Sequence, residues 1–312
     1  MPENINEIKL DLNKTPFNLD CTLSCGQVFR WEKHGDWWQS VLDDSFVKVR
    51  QKANTLQFEV VPEGSVDVAF LSNYFGLDDD LPAVYSKIVK DSFVEAAIKK
   101  FHGLRLIRQE PWECLISYSC ATNKNIPAIK NMIANLCERF GRKITPAYGE
   151  VYTFPTVEDL AEARLSSLRL CKLGFRAERV KQTSKLVSEG VFSLEAIKNL
   201  PYEEAKKRLM TLPGVGPKVA DCVLLFGFGR LKAFPIDVWM KRIILEIYAD
   251  HFERAFIVKA KRDKAPSASE YKTISSFGRR YFGENVGYAQ EYLYHFGRCG
   301  ALTGSQKSKG IA

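Results

Sequence analysis

The stretch Thr211-Leu212-Pro213-Gly214-Val215-Gly216-Pro217-Lys218-Val219-Ala220-Asp221-Cys222, continuing through an apolar run to Phe234-Pro235-Ile236-Asp237, decides how the rest of the chain is read. It predicts a helix over 202 to about 210 that stops at the Pro-Gly-Val-Gly turn. A second helix then begins at Pro217, a position where a missing N–H costs nothing. The two glycines allow a tight turn and leave the N–H groups of the new helix start pointing outward, an anion site suited to a phosphate. Lys218 is the second residue of that helix. The positive end of the helix dipole disfavours an ammonium there, and so favours the neutral amine that a nucleophilic lysine needs. A carboxylate, Asp237, follows nineteen residues later at the start of the next predicted helix.

The surrounding chain has 312 residues, 46% of them hydrophobic, enough for a large core and two or three subdomains. Its net charge of +8 comes from Lys and Arg spread along the sequence, the pattern of a basic surface on a folded body that meets a phosphate-rich partner. The eight cysteines include no C-x-x-C pair and no zinc-finger spacing, so neither a metal site nor a disulfide framework is expected. Reduced thiols fit an intracellular protein, in the cytoplasm or nucleoid of a prokaryote or the nucleus of a eukaryote. The first residues carry no secretory signal, and no uncharged apolar stretch reaches membrane-spanning length, so no membrane partner is expected.

From 26 to 62 apolar residues alternate in period two, predicting strands at 38–42, 45–50 and 56–60 with polar turns at 32–36, 43–44 and 52–54. This reads as an antiparallel meander with one wet face. From Val66 onward helical periodicity takes over, with prolines at helix starts or loops, and 259–270 reads as a polar, basic loop. The fold class is therefore α+β, with an N-terminal antiparallel sheet domain (1–108), a helical domain (109–300) holding the hairpin at 202–229, and a disordered tail at 301–312.

The hairpin, Lys218 and Asp237 together resemble the helix-hairpin-helix plus Gly/Pro…Asp signature of the base-excision DNA glycosylases, in their lysine-bearing branch. Three further segments are similar to the 8-oxoguanine DNA glycosylases: Cys25-Gly26-Gln27-Val28-Phe29-Arg30-Trp31, Arg108-Gln109-Glu110-Pro111-Trp112-Glu113-Cys114 with Ala121-Thr122-Asn123-Lys124-Asn125-Ile126, and Gly287-Tyr288-Ala289-Gln290. The resemblance covers roughly 8–300. It implies two helical lobes with a DNA-binding cleft between them, a monomer acting on duplex DNA that contains 8-oxoguanine, and chemistry without a metal or organic cofactor. Its four-cysteine iron–sulfur relatives differ, since the C-terminal end here has only Cys299.

Residue by residue, the resemblance implies that the Lys218 amine attacks C1′ of a flipped nucleotide, expels the base and leaves a Schiff base from which the 3′ phosphate departs. Asp237 would support the cationic sugar; helix capping alone would also explain its identity. Cys222, four residues after Lys218, would lie against the base, although a core cysteine is nearly as natural a reading. Gly26 would bring a backbone carbonyl to the N7–H that 8-oxoguanine has and guanine lacks. Gln290 would read the Watson–Crick edge, and Tyr294, on the same helix face, would stack on the base where phenylalanine is commoner. Asn123, Phe175, Arg176, Gly214, Gly216 and Val219 would contact DNA, Phe175 as an apolar wedge, for which a place in the core is a rival reading.

Two positions depart from the family pattern. Ala128 stands where a second arginine reads the opposite cytosine, which predicts only a modest preference for cytosine. Trp239 stands where a histidine that contacts a phosphate is usual. Two other functions share the hairpin. A monofunctional alkylbase glycosylase would lack Lys218, and a silent damage-binding module would have no reason to keep both Lys218 and Asp237.

Overall fold

The period-two segments form a five-stranded antiparallel sheet in the computed structural model, which describes residues 5–62, 66–146 and 149–299. The strands are β1 (Asn6–Lys9), β2 (Glu32–His34), β3 (Trp37–Leu42), β4 (Ser45–Lys52) and β5 (Thr55–Val61), ordered β1-β5-β4-β3-β2 in space. The three expected strands are β3, β4 and β5, each extended by a residue or two. Val49 pairs with Phe58 on one side and Trp38 on the other, so apolar side chains stack across the sheet. Leu56, Phe58 and Val60 point inward from β5 and pack with Trp31, Leu71, Phe75 and Ile107. The expected tail at 301–312 lies outside the described residues.

Several local expectations are corrected. The polar segment expected as a turn at 32–36 contributes β2, in which Glu32, Lys33 and His34 pair with Gln39, Trp38 and Trp37. All three β2 residues are exposed, so no apolar alternation marks the strand. The outer face is not wet throughout, because Lys48 is buried against the Trp37 ring and the Glu59 carboxylate, 3.1 Å away. The basic loop is shorter than expected: the chain is helical to Ala260 and again from Ala268, because Ser267 and Glu270 form a capping box. A small hairpin, Lys143–Ile144 with Val151–Tyr152, interrupts the helical region.

After Val68 the chain is otherwise mostly helical, and its prolines stand at helix starts or in loops as expected. Pro111 begins Pro111–Cys120, where the Glu110 side chain accepts from the N–H groups of Trp112 and Glu113. Pro127 lies in the first turn of Ile126–Phe140, capped by Asn125. A second and larger apolar cluster unites these helices with the hairpin and with the C-terminal helix Val286–Arg298. Helices Leu81–Ile88 and Ser92–Lys100, although they precede residue 108, pack into this cluster through Val84, Ile88, Val94 and Ile98.

Candidate active site

The hairpin forms as its glycines dictate. Helix Tyr202–Leu209 ends, the chain turns through Gly214 at φ +78°, and helix Pro217–Cys222 begins with Gly216 as its N-cap. The positive φ favours glycine here, and a Cβ on Gly214 would also fall 2.3 Å from Cδ of Arg179, whose side chain would have to move. Gly216 faces open space. The second helix continues as a π-helical turn, Val223–Gly227. A buried carboxylate locks the unit: Asp221 accepts from Tyr202 Oη (2.6 Å), Lys206 Nζ (2.7 Å) and Tyr271 Oη (2.5 Å). Those donors come from the first hairpin helix and from helix Ala268–Phe282, so Asp221 fixes the helix that carries Lys218.

Lys218 and Asp237 line one cleft of about 700 Å³. The Lys218 Nζ lies over the Tyr118 ring, 5.1 Å from its centroid. Tyr118 is itself fixed, stacked on Phe226 and donating through Oη to the Gln27 carbonyl at 3.0 Å. Asp237 caps helix Val238–Ile247, accepting from Met240 N–H at 2.8 Å, so the capping role and a place on the cleft wall coexist. Cys222 is buried beneath. Burial pushes its thiol up to about 12, against the pull of nearby Lys218, so it stands as a neutral group.

The same cleft is lined by Gly26, Phe29, Ile126 and Tyr294. Gly26 has φ +105°, and a Cβ there would meet Arg298 Nη1 and Ile126 Cδ1, both at 2.8 Å. Gln27 is pinned completely: its amide donates to the carbonyls of Thr22 and Arg105, its Oε1 accepts from Ile107 N–H, and its backbone carbonyl accepts from Gln109 Nε2 and Tyr118 Oη. Arg298 donates to the Cys25 carbonyl at 3.1 Å and lies over the Tyr294 ring, 5.3 Å from its centroid. Gln290 is buried beside these groups, off the cleft lining, with an Oε1 that has no partner. Its neighbour Glu291 is buried too, against the Cys25 thiol. Burial raises its carboxyl to about 7, while Cys25 and Arg298 pull it back.

The loops expected to hold DNA lie around the mouth. Asn123 is exposed on the cleft lining with φ +55°, a conformation asparagine tolerates. Val219 lines the cleft from a buried position. Phe175 is 56% exposed on its own surface loop, flanked by the guanidinium groups of Arg176 and Arg179 at 4.3 and 4.9 Å from its ring centroid. Arg176 is buried and turned inward, donating to the Thr122 carbonyl, so it ties the Phe175 loop to the Asn123 loop. The structure thus brings Lys218, Asp237, Gly26, Tyr294 and Asn123 to one cleft and leaves Phe175 and Arg176 on an adjoining edge. Sequence reasoning passed over Tyr118 and Arg298. Tyr118 sits in a helix that is apolar all round and reads as core, and Arg298 reads as an ordinary basic residue at a helix C-terminus.

Comparison with known proteins shows the family of the chain. Residues 9–115 match the family described as 8-oxoguanine DNA glycosylase, N-terminal domain, and residues 117–263 match the HhH-GPD superfamily of base excision DNA repair proteins. The chain is 34% identical over 265 residues to the N-glycosylase/DNA lyase of Saccharomyces cerevisiae, covering 77% of this chain and 70% of that one. It is 29% identical to a probable N-glycosylase/DNA lyase of Methanothermobacter thermautotrophicus, covering 92% and 95% of the two chains. Among solved structures, the Clostridium acetobutylicum 8-oxoguanine glycosylase/lyase in complex with duplex DNA bearing cytosine opposite 8-oxoguanine superposes with a TM-score of 0.80. That match has 30% identity and covers 91% of this chain and 93% of the other.

Proposed function

The chain belongs to the HhH-GPD superfamily of base excision DNA repair proteins, in its 8-oxoguanine DNA glycosylase branch, and on that premise we propose that Lys218 carries both base excision and strand nicking. The protein is a bifunctional glycosylase and lyase that removes 8-oxoguanine from duplex DNA. The observation that carries the mechanism is that Lys218, Asp237, Gly26 and Tyr294 line one cleft.

In this reading the damaged nucleotide leaves the stack and its base enters between Gly26 and Tyr294. The Lys218 amine bonds to C1′ through its nitrogen lone pair as the glycosidic bond breaks; the bonding electrons leave with the base, which takes up the proton that the amine sheds. The Asp237 carboxylate stabilises the positive charge that develops on the sugar. Opening of the sugar ring gives a Schiff base between Nζ and C1′. Loss of a C2′ proton then expels the 3′ phosphate and nicks the strand. The Gly26 carbonyl accepts the N7–H of 8-oxoguanine and repels the bare N7 of guanine. The unpartnered Oε1 of Gln290 supports a polar contact to the base edge. The reading takes one copy of the chain per lesion, since both catalytic groups come from one cleft.

Incubation with a duplex carrying one 8-oxoguanine opposite cytosine tests this. Free 8-oxoguanine and a strand nicked 3′ to the lesion are expected. Base release without a nick would favour the monofunctional alternative, and neither product would overturn the proposal.

A further inference from the structure

The Gly26 carbonyl can discriminate only if its direction is fixed, and the chain on either side of Gly26 is held very differently. Downstream, Gln27 is anchored through its side-chain amide and its backbone carbonyl, which take part in five hydrogen bonds. Upstream, the carbonyl of the Cys25-Gly26 peptide is held by Arg298, whose Nη1 donates to it at 3.1 Å from the end of helix Val286–Arg298. Gly26 itself, at φ +105° and without a Cβ, gives no stiffness of its own. The missing Cβ is also what admits Arg298, whose Nη1 lies 2.8 Å from where that atom would be. The same guanidinium faces the Tyr294 ring at 5.3 Å. Arg298 is exposed, and helix-dipole pairing explains a basic residue at this helix end, but not its contact with a peptide of another element.

Resting on the reading of Gly26 and Tyr294 above, we infer that Arg298 is a positioning residue for lesion recognition: one guanidinium holds the Cys25-Gly26 peptide and backs the Tyr294 ring, fixing together the two groups that would hold the base.

The test compares wild type, Arg298→Ala and Arg298→Lys in single-turnover excision of 8-oxoguanine opposite cytosine, and in borohydride trapping on an abasic-site duplex, which has no base to seat. Arg298→Ala is expected to slow 8-oxoguanine excision about tenfold or more, the worth of one charge-assisted hydrogen bond. Trapping on the abasic site should change less than about twofold, the range of a surface substitution. Arg298→Lys keeps a donor but not the planar fork, and should recover part of the loss. In a Lys218→Gln background, Arg298→Ala should also narrow the ratio of dissociation constants for duplexes carrying guanine and 8-oxoguanine. Equal loss in excision and abasic trapping, or an unchanged excision rate, overturns the inference. Wild type that traps on the abasic duplex but leaves 8-oxoguanine in place would overturn the functional reading instead.

Discussion

Replacing Glu291 with glutamine should stabilise the protein, and more so as pH rises. The carboxyl is buried next to the Cys25 thiol, its Oε1 has no partner, and burial lifts it from an ordinary 4.5 to about 7. The folded state therefore holds this proton more tightly than the unfolded chain does. Below pH 4.5 both states are protonated and nothing is lost. Between 4.5 and 7 the unfolded chain ionises first, stability falls, and above 7 the loss is complete at about 3 kcal/mol, from roughly 1.4 kcal/mol per pH unit. Glu291→Gln removes that dependence with little change of shape. The stability difference between variant and wild type should grow by about 2 kcal/mol from pH 5.5 to 8.5. His295 shapes the profiles of wild type and variant alike, because burial lowers its imidazole to about 4 and gives the opposite slope in an overlapping window. Subtracting wild type from variant cancels it. Urea denaturation at the two pH values is the assay. A difference that does not change with pH, or a variant less stable at pH 8.5, would refute a buried, proton-holding Glu291.

Three further outcomes follow from the cleft and its rim. Wild type should excise 8-oxoguanine opposite A, G or T within a modest factor of its rate opposite C, because Ala128 offers no side-chain donor and Arg176 is turned to Thr122. Single-turnover rates on four duplexes check this: Ala128→Arg should raise the cytosine preference, each good base contact being worth about 1–3 kcal/mol, and a wild-type preference of several hundredfold would contradict it. Phe175→Ala should change stability by less than about 0.5 kcal/mol, since the ring is 56% exposed, yet slow excision about tenfold if the ring wedges the duplex open. Equal excision rates would assign that ring no such role. Duplex affinity should fall steeply between low and moderate salt, as phosphate contacts release counterions. A flat dependence would turn the basic surface away from DNA.

Much of this was legible because local chemistry and tertiary structure agree at the decisive places. Pro-Gly-Val-Gly-Pro can form little but a tight turn into a helix, and the first helix ends and the second begins within a residue of the expected positions. Strands β3, β4 and β5 were visible because burial on one face imposes alternation. What escaped was whatever depends on a distant partner. β1 is four residues long and exists through its pairing with β5, and β2 is an edge strand with no apolar face. Lys48 reads as solvent-facing until Trp37 and Glu59 close over it. The early start of helix Ala268–Phe282 was readable in Ser267-Ala268-Ser269-Glu270, a capping-box pattern obscured by the surrounding charges. Lys218 and Asp237 were legible as a pair. The inward turn of Arg176 and the reach of Arg298 to Cys25 are properties of side-chain direction, which spacing does not encode.

Borohydride trapping on the 8-oxoguanine duplex, followed by peptide mapping of the adduct, tests the central claim most directly. One covalent DNA adduct is expected, on Lys218, in step with base release. Lys218→Gln should give neither adduct nor nick while still binding the duplex, because its contacts to phosphate come from the backbone. An adduct of wild-type yield in Lys218→Gln, or one mapped to another amine, would contradict the account.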